Sequence, residues 1–139
     1  MRVLALDLGT ARIGLAVSDE SGTLASPLGF LTRSGDPESD HRAVAARVAE
    51  TGATTVVVGL PLSLSGRAGP AAEAVMAEVA TLRARLEVPV VTHDERLTTV
   101  TATRAMRSAG RSPRRRQRGD VDAAAAAVLL QSWLDARAR

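Results

Sequence analysis

Cysteine, tyrosine and lysine are all missing from this 139-residue chain, and its aromatic rings are limited to Phe30 and Trp133. Without cysteine there can be no disulfides and no thiolate metal sites, which fits a reducing compartment. With two rings, stacking on nucleic-acid bases cannot be a main binding device. The core must be built from Val, Leu, Ile and Ala. No apolar run approaches membrane-spanning length, and the N-terminus shows no signal-peptide pattern. The expectation is a cytoplasmic protein with no membrane association.

The length fits one domain with its own core, and 45% apolar residues argue for a folded globule rather than disorder. Every one of the 18 basic residues is arginine. Eight of them (Arg96, Arg104, Arg107, Arg111, Arg114, Arg115, Arg116 and Arg118) fall between residues 96 and 119, where there is no acid. The rest of the chain sets ten arginines against fifteen acids. A basic segment on an acidic body points to a polyanionic partner. A solvated loop is the plainer alternative, but Arg114-Arg115-Arg116 is a strong local field.

The chain is organised around the stretch from Leu4 to Ser18. Val3, Leu4 and Leu6 open one apolar run of strand length, and Ile13, Leu15 and Val17 alternate in a second. Asp7 interrupts the first run near its end. A carboxylate inside a buried strand is costly unless a cation or hydrogen bonds compensate it. Gly9 follows, so the backbone there can turn sharply and admit a ligand. An incidental Asp at a hairpin rim is the bland alternative to a functional one.

The remaining elements follow in order. Leu24–Thr32 reads as a strand broken by Pro27, hence an edge. Asp36-Pro37 starts a helix that runs to about Glu50 and stops before Gly52. Thr54–Gly59 is a continuous β-branched run, as in a buried central strand. Pro70 opens a second helix, with Val75, Val79, Leu82 and Leu86 at helical spacing. Val88–Thr92 is a fifth strand that delivers His93-Asp94-Glu95-Arg96 at its carboxyl end. A weaker helix is expected over 98–109, a flexible Arg-rich loop over 110–119, and a last, alanine-rich helix from Asp122 to about Ala136. Hairpins followed by βαβ units predict a single α/β domain with a mixed five-stranded sheet and helices on both faces.

Three acidic positions then fall at ends of elements: Asp7, Asp94 or Glu95, and Asp120 or Asp122. In such sheets, sites form at the carboxyl ends of strands. Converging carboxylates need a cation between them, and an all-oxygen donor set suits Mg²⁺ or Mn²⁺. Two such ions can activate water against a phosphodiester and stabilise its leaving oxygen. Taken singly, Glu95 could pair with an Arg and Asp122 could cap the last helix. Adjacent strand residues point to opposite faces, so only one of Asp94 and Glu95 easily shares Asp7's side. His93 reads as a strand-end histidine. Gly59 and Pro61 are read as keeping a strand end bare.

These residues together resemble a known family. Asp7-Leu8-Gly9-Thr10-Ala11-Arg12-Ile13-Gly14-Leu15-Ala16, Gly59-Leu60-Pro61 with Gly66, Asp94-Glu95-Arg96-Leu97-Thr98-Thr99 and Val121-Asp122-Ala123-Ala124-Ala125-Ala126 with Leu129-Leu130-Gln131 are similar to the YqgF/RuvX family, in order and over almost the whole chain. The resemblance implies an RNase H-like fold related to RuvC resolvases. It implies a nuclease of precursor 16S ribosomal RNA 5′-end maturation, with Holliday-junction resolution as the alternative. By motif, the catalytic and metal-binding residues would be Asp7, Glu95 and Asp122, with Asp94 and Asp120 as further candidate ligands. Arg12, Arg96, Arg111, Arg114, Arg115, Arg116 and Arg118 would contact nucleic acid. The partners would be structured RNA or branched DNA, and the small ribosomal subunit; the expected state is a monomer or weak dimer. The family often carries a basic residue where this chain has Asp120.

Two readings of other classes compete. Asp-x-Gly-Thr followed by Ile-Gly also resembles the first phosphate loop of actin-like ATPases, but those enclose nucleotide between two such domains and 139 residues supply one. A non-catalytic RNA-binding assembly factor would keep the fold and the arginines and would tolerate loss of Asp7.

Overall fold

The computed structural model describes residues 1–97 and 118–138. Its elements are β1 (Val3–Leu8), β2 (Arg12–Ser18), β3 (Ala25–Thr32), α1 (Pro37–Thr51), β4 (Thr55–Leu60), α2 (Pro70–Arg85), β5 (Val90–Asp94), a 3₁₀ turn (Glu95–Leu97) and α3 (Arg118–Arg137). The five strands form one mixed sheet in the order β3-β2-β1-β4-β5. β1 runs antiparallel to β2 and parallel to β4, and β4 is parallel to β5. The expected α/β architecture is the one observed.

Alternation along the strands sorts the core into two layers. Leu4, Leu6, Ile13, Leu15, Val56 and Val58 face α1 and α2, meeting Val44, Val75, Val79 and Leu82. Val3, Ala5, Ala16 and Val57 face α3, meeting Ala126, Leu129, Leu130 and Leu134. The site described below lies on the α3 face, because Asp7 continues the row Val3, Ala5.

Local chemistry sets most boundaries. Asp36 accepts a hydrogen bond from the Glu38 amide at the start of α1, and Gly52 closes it at φ 71°. β3 is an edge strand, with Pro27 on its rim. Its register with β2 slips between Leu15 and Ala16, which pair with Gly29 and Pro27 and leave Leu28 as the extra residue. β5 begins two residues later than the sequence pattern indicates. Pro89 has no amide hydrogen to give the ladder, so pairing starts at Val90, opposite Val56. α3 begins at Arg118, four residues before the expected start at Asp122. Asp120 thereby falls in its first turn, where a negative charge suits the helix dipole. Asp122 is therefore inside the helix rather than its cap. The helix expected over 98–109 and the loop from 110 to 117 lie outside the described residues.

Beneath the α1–α2 face runs a polar chain that the sequence reading passed over. Arg33 donates to both carboxylate oxygens of Glu78, at 2.7 and 2.9 Å. Glu78 also meets the Nε2 of the buried His41 at 2.8 Å, and Arg85 donates to His41 Nδ1 at 3.0 Å. Arginine has only donors, so His41 Nδ1 accepts and Nε2 carries the hydrogen given to Glu78. Burial would raise the Glu78 carboxyl, but these hydrogen bonds hold it below its ordinary value. Arg33 also donates from Nε to the Gly9 carbonyl at 2.9 Å, and its amide donates to the Ala11 carbonyl. The chain therefore anchors the β1–β2 turn to α2. Glu78→Gln is expected to lower stability by about 2 kcal/mol, because Arg33 would lose its partly buried counter-charge. Denaturant melts check it; an unchanged midpoint would show the pair to be idle.

Candidate active site

Asp7 sits at the carboxyl end of β1, directly opposite Gly14 of β2. On its other side the β1–β4 ladder ends at Leu6 and Val58, so Gly59 is the next residue of β4 beside it. β5 does not neighbour β1; β4 lies between them. Glu95, the first residue of the 3₁₀ turn after β5, has to reach Asp7 across β4. Gly59 makes that possible. A Cβ there would lie 2.5 Å from Glu95 Oε1. The bare position thus clears the way for a carboxylate. Gly14 does the same for a helix: a Cβ there would come well inside 3.0 Å of the Asp122 carbonyl oxygen. The missing side chain lets α3 press onto β2 and set Asp122 beside Asp7. Glycine within an alternating apolar strand is the signal that could have identified Gly14 from the sequence.

The electrostatics follow from this crowding. Burial, then the charge of Asp122, raises the Asp7 carboxyl, while a hydrogen bond with Glu95 acts the other way. Glu95 is pushed up to about 7 by burial, by the charge of Asp7 and by their shared hydrogen bond. The two carboxyls therefore titrate as a coupled pair that shares one proton across their hydrogen bond. Asp122 is turned to Arg12, whose Nε lies 2.5 Å from Oδ2.

The other sequence candidates are placed as follows. Asp94 faces away from the pair, towards Arg96, which donates to it from Nη2 at 2.6 Å, from Nε at 2.9 Å and from the backbone amide. These bonds hold Asp94 below the ordinary carboxylate range. Arg96 Nη1 also donates to the Leu64 carbonyl at 3.3 Å, so it bridges β5 to the loop beyond Pro61. Asp120 is exposed in the first turn of α3. Gly9 donates its amide to the Arg12 carbonyl, and a Cβ there would lie 2.6 Å from that oxygen. His93 Nε2 lies 3.0 Å from Ser132 Oγ, a tie between β5 and α3. Arg111, Arg114, Arg115 and Arg116 lie outside the described residues, and of Arg118 only the helical backbone is described.

Among the described residues, no three His, Asp or Glu side chains stand arranged as a metal-binding group. The donor set nonetheless fits a hard divalent cation. Asp7, Glu95 and Asp122 offer oxygen alone, and their repulsion is offset by two positive features, the shared proton and the Arg12 guanidinium. A cation bound by Asp7 and Glu95 would take the place of that proton.

Gly59→Ala separates the site from the fold. The obstacle is the end of a flexible side chain, and alanine suits a strand at least as well as glycine. Stability is expected to change by less than about 1 kcal/mol, while displacement of Glu95 is expected to lower any activity of this site by roughly a hundredfold or more. Paired melts and cleavage assays check it; full activity would mean that Glu95 does not need this path.

Comparison with known proteins supplies the lineage. The family described as "RuvX: Holliday junction resolvase" matches residues 1–136. A protein from Anaeromyxobacter dehalogenans named "Putative pre-16S rRNA nuclease" is 46% identical over 138 residues, covering 99% of each chain. One of the same name from Desulforudis audaxviator is 44% identical over 137 residues, covering 99% of this chain and 96% of its own. Among solved structures, T. thermophilus RuvC in complex with a Holliday junction substrate superposes with a TM-score of 0.60 at 20% identity, covering 99% of this chain and 96% of that one. That likeness is one of fold, and it is the RNase H-like fold. With sequence relatives of this closeness along its whole length, the chain belongs to the RuvX family.

Proposed function

We propose that this protein is a divalent-metal-dependent endonuclease that trims the 5′ end of precursor 16S ribosomal RNA. The observation that carries the reading is the Asp7–Glu95 pair, brought together across Gly59 with Asp122 alongside. Structural carboxylates are not usually set against one another where burial raises both. Asp7 and Glu95 would hold Mg²⁺ or Mn²⁺, with Asp122 as the third ligand; the ion would activate water and stabilise the leaving oxygen. The protein's own part is positional. The turn at Gly9, fixed by Arg33, holds Asp7 in place, and Arg96, paired with Asp94, ties the end of β5 to the loop at the Leu64 carbonyl. The relatives' names favour ribosomal RNA as substrate. No described helix is long and apolar enough to cross a membrane, and a nuclease of ribosomal RNA would work in the cytoplasm on the small ribosomal subunit or its precursor.

Four-way DNA is the second reading, favoured by the family's description and by the fold of RuvC. The deciding experiment offers precursor 16S ribosomal RNA and a four-way junction side by side, with Mg²⁺, Mn²⁺ or chelator. Metal-dependent cleavage of the RNA alone supports the proposal. Cleavage of the junction alone replaces its substrate. Cleavage of neither, with undiminished function of Asp7→Asn in ribosome assembly, would leave a binding factor.

Arg114, Arg115 and Arg116 are expected to contact phosphates without reading sequence. Neutralising all three should weaken RNA binding and flatten the log-affinity against log-salt slope by roughly two to three. An unchanged slope would point these residues elsewhere.

A further inference from the structure

We propose that Arg12 couples substrate to metal: it holds Asp122 away from the cation until a substrate phosphate draws the guanidinium off. The inference rests on the nuclease reading above and deepens it. Arg12 and Asp122 form an ion pair at 2.5 Å, with side chains 26% and 27% exposed. The pair is neither sealed nor free, so a second anion can compete for Arg12. The backbone under it is fixed. Gly9 donates to the Arg12 carbonyl, and Arg33 grips Gly9 and Ala11 on either side of the turn. What can move is the Arg12 side chain. A phosphodiester presents the two acceptor oxygens that a guanidinium fork matches best. Once Arg12 turns to it, Asp122 is left beside Asp7 without its counter-charge, and the three carboxylates favour a cation far more strongly. Phosphate and metal then bind with positive cooperativity, and the complete site assembles only on substrate. Arg12 is in this sense a positioning residue for Asp122.

The test uses Mn²⁺ alone as the probe and reads affinity rather than cleavage. Mn²⁺ binding is measured by calorimetry on the wild type, Arg12→Gln, Asp122→Asn and the double variant, without nucleic acid. Arg12→Gln is expected to bind Mn²⁺ roughly tenfold more tightly than the wild type. Arg12→Lys, which keeps the charge but loses the planar fork, should fall between and serves if Arg12→Gln does not fold. Removing a positive charge could raise cation affinity without any gate, so the double variant decides. In the Asp122→Asn background the gain should vanish, since Arg12 then has no carboxylate to hold. A gain that persists there, or no gain at all, overturns the gate. In that case Mn²⁺ binding by the wild type that is lost in Asp7→Asn leaves the nuclease reading standing. No Mn²⁺ binding to any of the proteins overturns both.

Discussion

Asp7→Asn should abolish cleavage, by about a thousandfold or more in kcat, yet leave a protein at least as heat-stable as the wild type in chelator. Two charged carboxylates at a hydrogen-bonding separation of ~3 Å would repel by about 5 kcal/mol at an effective dielectric near 20, before relaxation and screening reduce it. Here the pair is relieved by holding one proton between the two carboxyls, with Glu95 pushed up to about 7. It brings a pH signature whose sign follows from the raised carboxyl. Glu95 titrates near 7 in the folded protein against an ordinary 4.5. Its contribution to stability is therefore complete below pH 4.5 and is lost as pH rises through 7. Undiscounted, that shift would be worth about 3 kcal/mol; partial exposure brings it to roughly 1 to 2 kcal/mol. The wild-type Tm in chelator should thus fall by about 4 to 8 °C between pH 5 and pH 8, relative to Asp7→Asn or Glu95→Gln. Saturating Mg²⁺ or Mn²⁺ should restore most of that loss at pH 8 in the wild type alone, since metal binds only the folded site. A flat pH profile, or an Asp7→Asn variant that melts well below the wild type with an unchanged metal response, would sink the carboxylate-pair reading.

Gly14→Ala should be more damaging than any other glycine-to-alanine change among the described residues. The obstacle at Gly14 is the backbone carbonyl of Asp122 together with its Cβ, which cannot swing away as the end of Glu95 can. Either α3 lifts off β2 or the sheet bends, and both undo the packing of Ala126, Leu129 and Leu130 on Val3, Ala5 and Ala16. A loss of about 3 kcal/mol or more is expected, with cleavage falling even at temperatures where the variant stays folded. Urea midpoints and low-temperature activity check this. A variant as stable as wild type would show that α3 has slack at this contact.

Much of this was legible along the chain because it is local. Asp7 declared itself as a carboxylate in an apolar run, and Asp36-Pro37 and Gly52 announced the ends of α1. Strand alternation left room for only one of Asp94 and Glu95, the family motif favoured Glu95, and Glu95 is the one that meets Asp7, though not through alternation. Glu95 stands past the strand, in a 3₁₀ turn, and Asp94 is retained by its near neighbour Arg96. What could not be read depends on contacts between distant segments. The Arg12–Asp122 pair spans 110 positions, and Arg33–Glu78 spans 45. Each exists only because the sheet order puts β1 between β2 and β4 and lays helices on opposite faces. Gly14 was visible as a residue but not as a contact surface, since its meaning lies in a helix more than a hundred residues later. The early start of α3 was hidden by Gly119, a poor helix former that the helix nevertheless includes in its first turn.

Trp133 lies on α3 against the alanine-lined layer, with the Arg137 guanidinium 4.8 Å from its ring centroid. Because the chain has no tyrosine and no second tryptophan, its ultraviolet emission is a single-site signal from that helix. The indole shares a rigid rod with Asp122, eleven residues and roughly 16 Å away along the axis. Seating or lifting of the rod alters both the burial of the indole and the nearby cation that perturbs its excited state. The protein thereby carries an intrinsic optical gauge of helix docking, readable during titration with metal or phosphate without any label.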